Sequence, residues 1–162
     1  MNEQDLDATK TVPKDQVHET LASLKNTEGF NVLVDYTAAD LSKWPLEHEA
    51  RFELTWRLMK LDPKTGLVER RLALKCRVDE EGPVSAKDLW PNADWLEREV
   101  WDMFGVKPSD NPKIKRLLMY EEFKGHPLRK DYPITKRQPL VEPMAPPRER
   151  IDPSELRPKL IP

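Results

Sequence analysis

Asp94-Trp95-Leu96-Glu97-Arg98-Glu99-Val100-Trp101-Asp102-Met103-Phe104-Gly105 reads as a short helix marked at both ends. Pro91 and Asn92 lead in, and Asp94 with Glu97 three residues later has the spacing of a capping box. Gly105 suits the left-handed position after the last turn, and Pro108 prevents continuation. At about 100° per residue, Leu96, Val100, Met103, Phe104 and Trp101 share one broad apolar face. Trp95, Arg98, Glu99 and Asp102 take the other side, with Arg98 and Asp102 at pairing distance. Glu97 alone falls inside the apolar sector, where an unpaired carboxylate is costly. Two readings stay open for it: bonds to backbone N–H groups of the first turn, or a cation from elsewhere, with Arg129 the candidate.

Upstream lies the clearest period-two pattern. In Arg51-Phe52-Glu53-Leu54-Thr55-Trp56-Arg57-Leu58 the apolar residues take one face, and in the return strand Leu72, Leu74, Cys76 and Val78 do the same. Asp62-Pro63-Lys64-Thr65-Gly66 is a turn by composition. The result is a long antiparallel hairpin with one apolar and one basic-tinted wet face. Val17, Leu21 and Leu24 predict a helix across Lys14 to Thr27 ended by Gly29, and Phe30 to Tyr36 a strand followed by a turn at Thr37-Ala38-Ala39-Asp40. Lys115 to Met119 suggests a further short strand, and Phe123 to Pro133 ordered irregular backbone. The fold class is therefore α+β, two main helices on a three- to four-stranded, largely antiparallel sheet.

Three regions divide the 162 residues: a flexible, acidic stretch at 1–13, one domain at 14–133, and an extended tail at 134–162. Eight of the last 30 residues are proline, which excludes regular helix or central strand over most of the tail. Ordering such a segment costs roughly 1–2 kcal/mol per residue. Offsetting that takes on the order of 1,000 Å² of buried apolar surface, more than its scattered aliphatic side chains can bury against a small domain. The tail is thus expected either to be disordered or to lie extended on another protein, with a partner the preferred reading.

Composition excludes several function classes. A formal charge of −2 makes no global case for nucleic acid. A single Cys rules out a disulfide framework, a Cys-ligated zinc site or an iron–sulfur cluster held by this chain alone, and Cys76 reads as a buried strand residue. Five scattered glycines make no phosphate loop, and no serine sits in a nucleophile elbow. Glu97, Glu99 and Asp102 cluster without a histidine on the same helix, so neither a helical metal site nor an acid–base pair is indicated. His18 and His48 sit among polar neighbours. Lys113 to Arg137 holds eight Lys/Arg against three acids, a composition that fits docking on an acidic protein surface better than base readout. No apolar run reaches the ~18–20 residues that span a bilayer, so a soluble, cytosolic chain is expected, with membrane association only through partners.

Two stretches carry a resemblance. Glu97-Arg98-Glu99-Val100-Trp101-Asp102-Met103-Phe104-Gly105 and Gly125-His126-Pro127-Leu128-Arg129-Lys130-Asp131-Tyr132-Pro133 strongly resemble the 30-kDa, or C, subunit family of proton-pumping NADH:quinone oxidoreductase, respiratory complex I. Phe30 to Asp40 looks like the family's first strand and its continuation, and Arg51-Phe52-Glu53 like the start of its hairpin. The likeness runs from about Phe30 to Pro133. It departs at Asp110-Asn111-Pro112, where the family usually repeats Gly-His-Pro. The resemblance implies a non-catalytic structural subunit of the peripheral arm, packed against the large quinone-site subunit and near the iron–sulfur subunits, with FMN, clusters and quinone all held by other chains. It implies a peripheral membrane location, on the cytoplasmic side of a bacterial inner membrane or the matrix side of a mitochondrial one. The equivalent subunit of a membrane-bound hydrogenase or other-donor dehydrogenase is the near alternative, and a basic nucleic-acid adaptor or a small carboxylate enzyme the distant ones. The residues marked for interface or structural work are Glu97, Arg98, Glu99, Asp102, Gly105, His126, Arg129, Lys130 and Asp131, the four charged helix residues being expected to pair with cations such as Arg129 or with partner residues.

Overall fold

The structure, a computed structural model, describes residues 7–111 and 114–138. The tail expected at 134–162 lies outside them beyond Gln138. Strand β1 (Asp7–Thr11) leads through a 3-10 turn (Lys14–Gln16) into helix α1 (Val17–Asn26). Strands β2 (Val32–Asp40), β3 (Phe52–Leu61) and β4 (Val68–Val78) follow, then helix α2 (Ala93–Phe104). The sheet order is β1-β4-β3-β2, with β2–β3 and β3–β4 antiparallel and β1–β4 parallel. This is the α+β arrangement expected, two helices on a largely antiparallel four-stranded sheet.

The hairpin forms as the alternation dictates. Phe52, Leu54, Trp56 and Leu58 face inward opposite Val78, Cys76, Leu74 and Leu72, and all eight are buried. Burying each large apolar side chain is worth roughly 1.5–3 kcal/mol, so this face anchors the core. Val17, Leu21 and Leu24 of α1 and Ala93 and Val100 of α2 close over it, and Phe104 meets Phe52 edge-to-face at 6.5 Å. The opposite sheet face, with Thr37, Thr55, Arg57, Ala73 and Lys75, is open.

Four local expectations need correction. Residues 7–11, expected to be loose, form β1: the stretch has no large apolar side chain, and its order comes from backbone pairing along the free edge of β4. Thr37 to Asp40, expected to turn, continues β2, because Thr37 to Asp40 pair with Thr55 to Phe52 and turn Ala38 and Asp40 inward. No capping box forms on α2. The Asn92 amide donates to the Leu33 carbonyl at 2.9 Å, and Glu97 points away from its own first turn. Lys115 to Met119 is irregular and not a strand, for a reason that belongs to the site below.

Candidate functional site: a clamped helix

Helix α2 is covered on both sides. One face meets the sheet. Across the other runs the irregular segment from Lys115 to Asp131, and the residues singled out in the sequence are mostly the fastenings between the two.

Asp102 is the central fastening. Its carboxylate is fully buried and accepts from Arg116 Nη1 at 2.6 Å. Its Oδ2 also accepts three successive backbone N–H groups, from Leu117 at 3.1 Å and from Leu118 and Met119 at 2.8 Å each. Successive N–H groups converging on one oxygen make a nest. In a strand they would alternate in direction, which is why this stretch is not one. Burial pushes the Asp102 carboxyl upward, but the four donors outweigh it and hold the group below the usual carboxylate range. Arg116 continues outward, donating Nη2 to the carbonyls of Phe123 at 2.7 Å and Gly125 at 3.1 Å while lying over the Trp101 and Phe123 rings. Arg98 does not pair with Asp102. It donates to the carbonyls of Lys115 and Arg116 at 3.2 and 2.8 Å and stacks over Trp95.

The second motif is the cap of this helix. The last carbonyls of a helix lack intrahelical partners. Here the Asp102 carbonyl accepts from His126 Nδ1 at 3.0 Å, the Met103 carbonyl from the Leu128 N–H at 3.0 Å, and the Phe104 carbonyl from Arg129 Nε. A carbonyl only accepts, so His126 carries its proton on Nδ1. Burial, together with Arg129 and Arg116 nearby, depresses the imidazole pKa despite the raising bond to the Asp102 carbonyl, keeping the ring neutral. Gly105 ends the helix at φ +79°, as its sequence position predicts. A Cβ there would lie 2.4 Å from Arg129 Nη2 and 2.6 Å from His126 Cδ2, so the position demands glycine for space as well as conformation. Arg129 does not meet Glu97; it reaches Glu80 at 3.0 Å and lies over Phe52.

The segment is fastened again at its far end. Asp40, buried at the end of β2, is held by two of the Arg51 guanidinium nitrogens, Nη2 at 2.9 Å and Nε at 3.3 Å, and accepts the backbone N–H of Lys130 at 2.8 Å and of Ser42 at 3.0 Å. Burial raises its pKa, and these donors more than reverse that, leaving it well below the usual range. Arg51 also pairs with Asp131 at 3.0 Å. Lys130 therefore contributes its backbone, with its side chain exposed, and Asp131 is a half-exposed outer partner.

Glu97 fastens the third neighbour, the loop after β4. It is 3% exposed and accepts from Ser85 Oγ at 2.6 Å and the Ala86 N–H at 2.8 Å. The acceptor role for backbone was foreseen, but the backbone is that of another segment. Burial raises its pKa, two bonds partly oppose this, and Asp110 and Asp94 add to it. Glu99 is exposed with no ion-pair partner among the described residues. Of the departure from the family pattern, Asp110 accepts the Ser85 N–H at 2.9 Å.

Sequence reasoning missed Asp40, Arg51, Arg116 and Ser85 as members. Asp40 and Arg51 flank one loop and stood in stretches already quoted for the resemblance. Nothing in the helical periodicity flags Asp102 as buried, because its cover is not the sheet. Asp102 and Asp40 have their oxygens occupied by donors, and burial pushes the Cys76 thiol up to about 11. Among the described residues no group of three or more His, Cys, Asp or Glu is placed to hold a metal, and no helix is long and apolar enough to cross a membrane.

Residues 10–138 match the family described as respiratory-chain NADH dehydrogenase, 30 Kd subunit. The C subunit of the NADH-quinone oxidoreductase of Citrifermentans bemidjiense is 38% identical over 130 residues, 79% of this chain and 75% of that one. A C subunit of the Rhizobium etli enzyme is 45% identical over 108 residues, 66% of this chain and 50% of the relative, so the match spans about half the length of that protein. The C subunit of the Phenylobacterium zucineum enzyme is 39% identical over 126 residues, 77% of this chain and 56% of its own length. Among solved structures, the trypsin-resistant fragment (1–134) of Nqo5 superposes with a TM-score of 0.58 at 30% identity, covering 64% of this chain and 80% of the fragment.

Proposed function

The chain belongs to the 30-kDa subunit family of the respiratory-chain NADH dehydrogenases, and from that premise we propose that it is a non-catalytic structural subunit of the peripheral arm of NADH:quinone oxidoreductase. Its partners on this reading are the large quinone-site subunit and the iron–sulfur subunits, with FMN, the clusters and quinone held by those other chains. Its contact with the membrane, at the cytoplasmic face, is made through the complex.

The observation that carries the reading is the double-sided clamp on α2. Asp102, Arg116, His126, Arg129, Asp40 and Arg51 are engaged with one another or with backbone, over sequence separations of up to 90 residues. Such a network fixes the distance between segments, and it occupies the buried carboxylates Asp102 and Asp40 with donors. A rigid spacer suits an electron-transfer assembly, where distances between neighbours set tunnelling and quinone access.

The test is native purification of the complex through a tag on this chain. Iron–sulfur and quinone-site subunits in equal stoichiometry are expected, with NADH:quinone turnover retained. Redox or hydrolytic activity in the isolated chain, or purification without those partners, overturns the reading.

A further inference from the structure

Between the end of β2 and the segment after His126 lies a groove of about 460 Å³. Ala38 and Phe104 form its floor, and Trp44 and Leu128 its walls. Both wall side chains are large and apolar, yet Trp44 is 61% and Leu128 51% exposed. At the rim stand Lys43 and Lys130, both exposed and neither with a side-chain acceptor among the described residues. Asp40, which also borders the groove, is already matched by Arg51. The rim therefore presents two ammonium groups without a side-chain acceptor among the described residues around an apolar interior.

The walls are also preset. One carboxylate, Asp40, accepts the Ser42 N–H from the Trp44 side and the Lys130 N–H from the Leu128 side, at 3.0 and 2.8 Å. Trp44 sits one tight turn further on, its N–H bonded to the Leu41 carbonyl at 2.7 Å. A cleft whose sides are held by the fold binds without the entropy cost of forming it. Aromatic anchors in such clefts dominate interface energetics, and surrounding charge selects the partner.

We propose that this groove is a docking site for a segment of a neighbouring subunit, one that inserts a single large apolar side chain between Trp44 and Leu128 and places a carboxylate beside it, against Lys43 and Lys130. The inference rests on the subunit reading above and adds to it where on this chain a neighbour is gripped and by what chemistry. A volume of about 460 Å³ lies in the range of pockets that hold small ligands, room for a large apolar side chain together with the carboxylate beside it. The motif around His126 supplies Leu128 and Lys130, whereas Trp44 and Lys43 come from the loop between β2 and β3.

The test uses the full chain in the assembled complex, with Trp44→p-benzoylphenylalanine as a photo-crosslinker and the same group at Leu67, 69% exposed near the β3–β4 turn, as the control. After irradiation, an adduct from position 44 is expected on one stretch of another subunit, with Asp or Glu within two or three residues of a Phe, Trp, Leu, Ile or Met. Adding Lys43→Glu and Lys130→Glu is expected to lower the adduct yield about tenfold, and Lys43→Arg with Lys130→Arg to preserve it. An assembled complex whose position 44 crosslinks to residues 139–162 of its own chain, to a second copy, to lipid, to a basic stretch or to nothing overturns the groove proposal and leaves the subunit reading standing. A chain that purifies without redox subunits overturns both.

Discussion

Asp102 and Arg116 meet at 2.6 Å across the outer side of α2, with 0% of the aspartate side chain and 13% of the arginine side chain exposed. The pair joins the helix to the segment that caps it. Removing one member of a buried, hydrogen-bonded pair leaves the other uncompensated, at a cost of about 3–5 kcal/mol.

Asp102→Ala is therefore expected to lower unfolding stability by about that amount, and to expose the stretch from Lys115 to Gly125 to protease while the β3–β4 hairpin stays protected. Urea titration and limited proteolysis read both effects. Equal cleavage of hairpin and segment would show that the pair supports the whole domain and not the clamp.

Gly105 and Gly66 separate conformation from crowding. Both have positive φ, +79° and +69°, but a Cβ at Gly66 meets nothing within 4 Å. Gly66→Ala is expected to cost about 1–2 kcal/mol. Gly105→Ala carries the same backbone cost and in addition displaces Arg129 and His126, so its urea midpoint should fall clearly further. Equal losses would mean that the cap is not tightly seated.

Falling and rising pH act on different carboxylates. Asp102 and Asp40 are lowered in the fold, so their stabilisation is complete above the unfolded value of about 3.9 and is lost as pH falls through the folded one. Glu97 is raised, so its ionisation removes stability as pH climbs from the unfolded value of about 4.3 through the folded one. Glu97→Gln keeps an acceptor for the Ala86 N–H and reverses the other contact, its amide N–H donating to Ser85 Oγ. It is expected to abolish the loss above pH ~4.3 while leaving the acid-side loss intact. Urea midpoints of both proteins across this range decide it; parallel profiles would count against the assignment.

Arg98 and Asp131 belong to the same motifs but not to the same energetics. Arg98→Ala removes two charge-assisted bonds to backbone carbonyls, on the order of 2 kcal/mol, and should reduce assembled complex while turnover per assembled complex stays near normal. Asp131 is 61% exposed and Arg51 keeps Asp40 without it, so Asp131→Ala should cost only about 0–1 kcal/mol. Assembly yield and complex-normalised NADH oxidation distinguish the two. Loss of turnover with assembly intact in Arg98→Ala would contradict a positional role.

What the amino-acid sequence determined by itself was whatever repeats locally: the alternating hairpin of Phe52 to Val78, the amphipathic helices, the left-handed stop at Gly105 and the two family motifs. Periodicity reports which side chains face a neighbouring sheet, and it did so correctly for Val17, Leu54, Leu74 and Val100. Tertiary structure decided the partnerships. Arg98 was assigned to Asp102 by helical spacing, yet Asp102 chose Arg116 and three backbone N–H groups, and Glu97 chose Ser85 over Arg129. β1 has order only because β4 offers it an edge. Local spacing constrains neighbours within a turn or a pleat, whereas a buried carboxylate goes to whichever donors can saturate it, and those arrive from as far as 90 residues away.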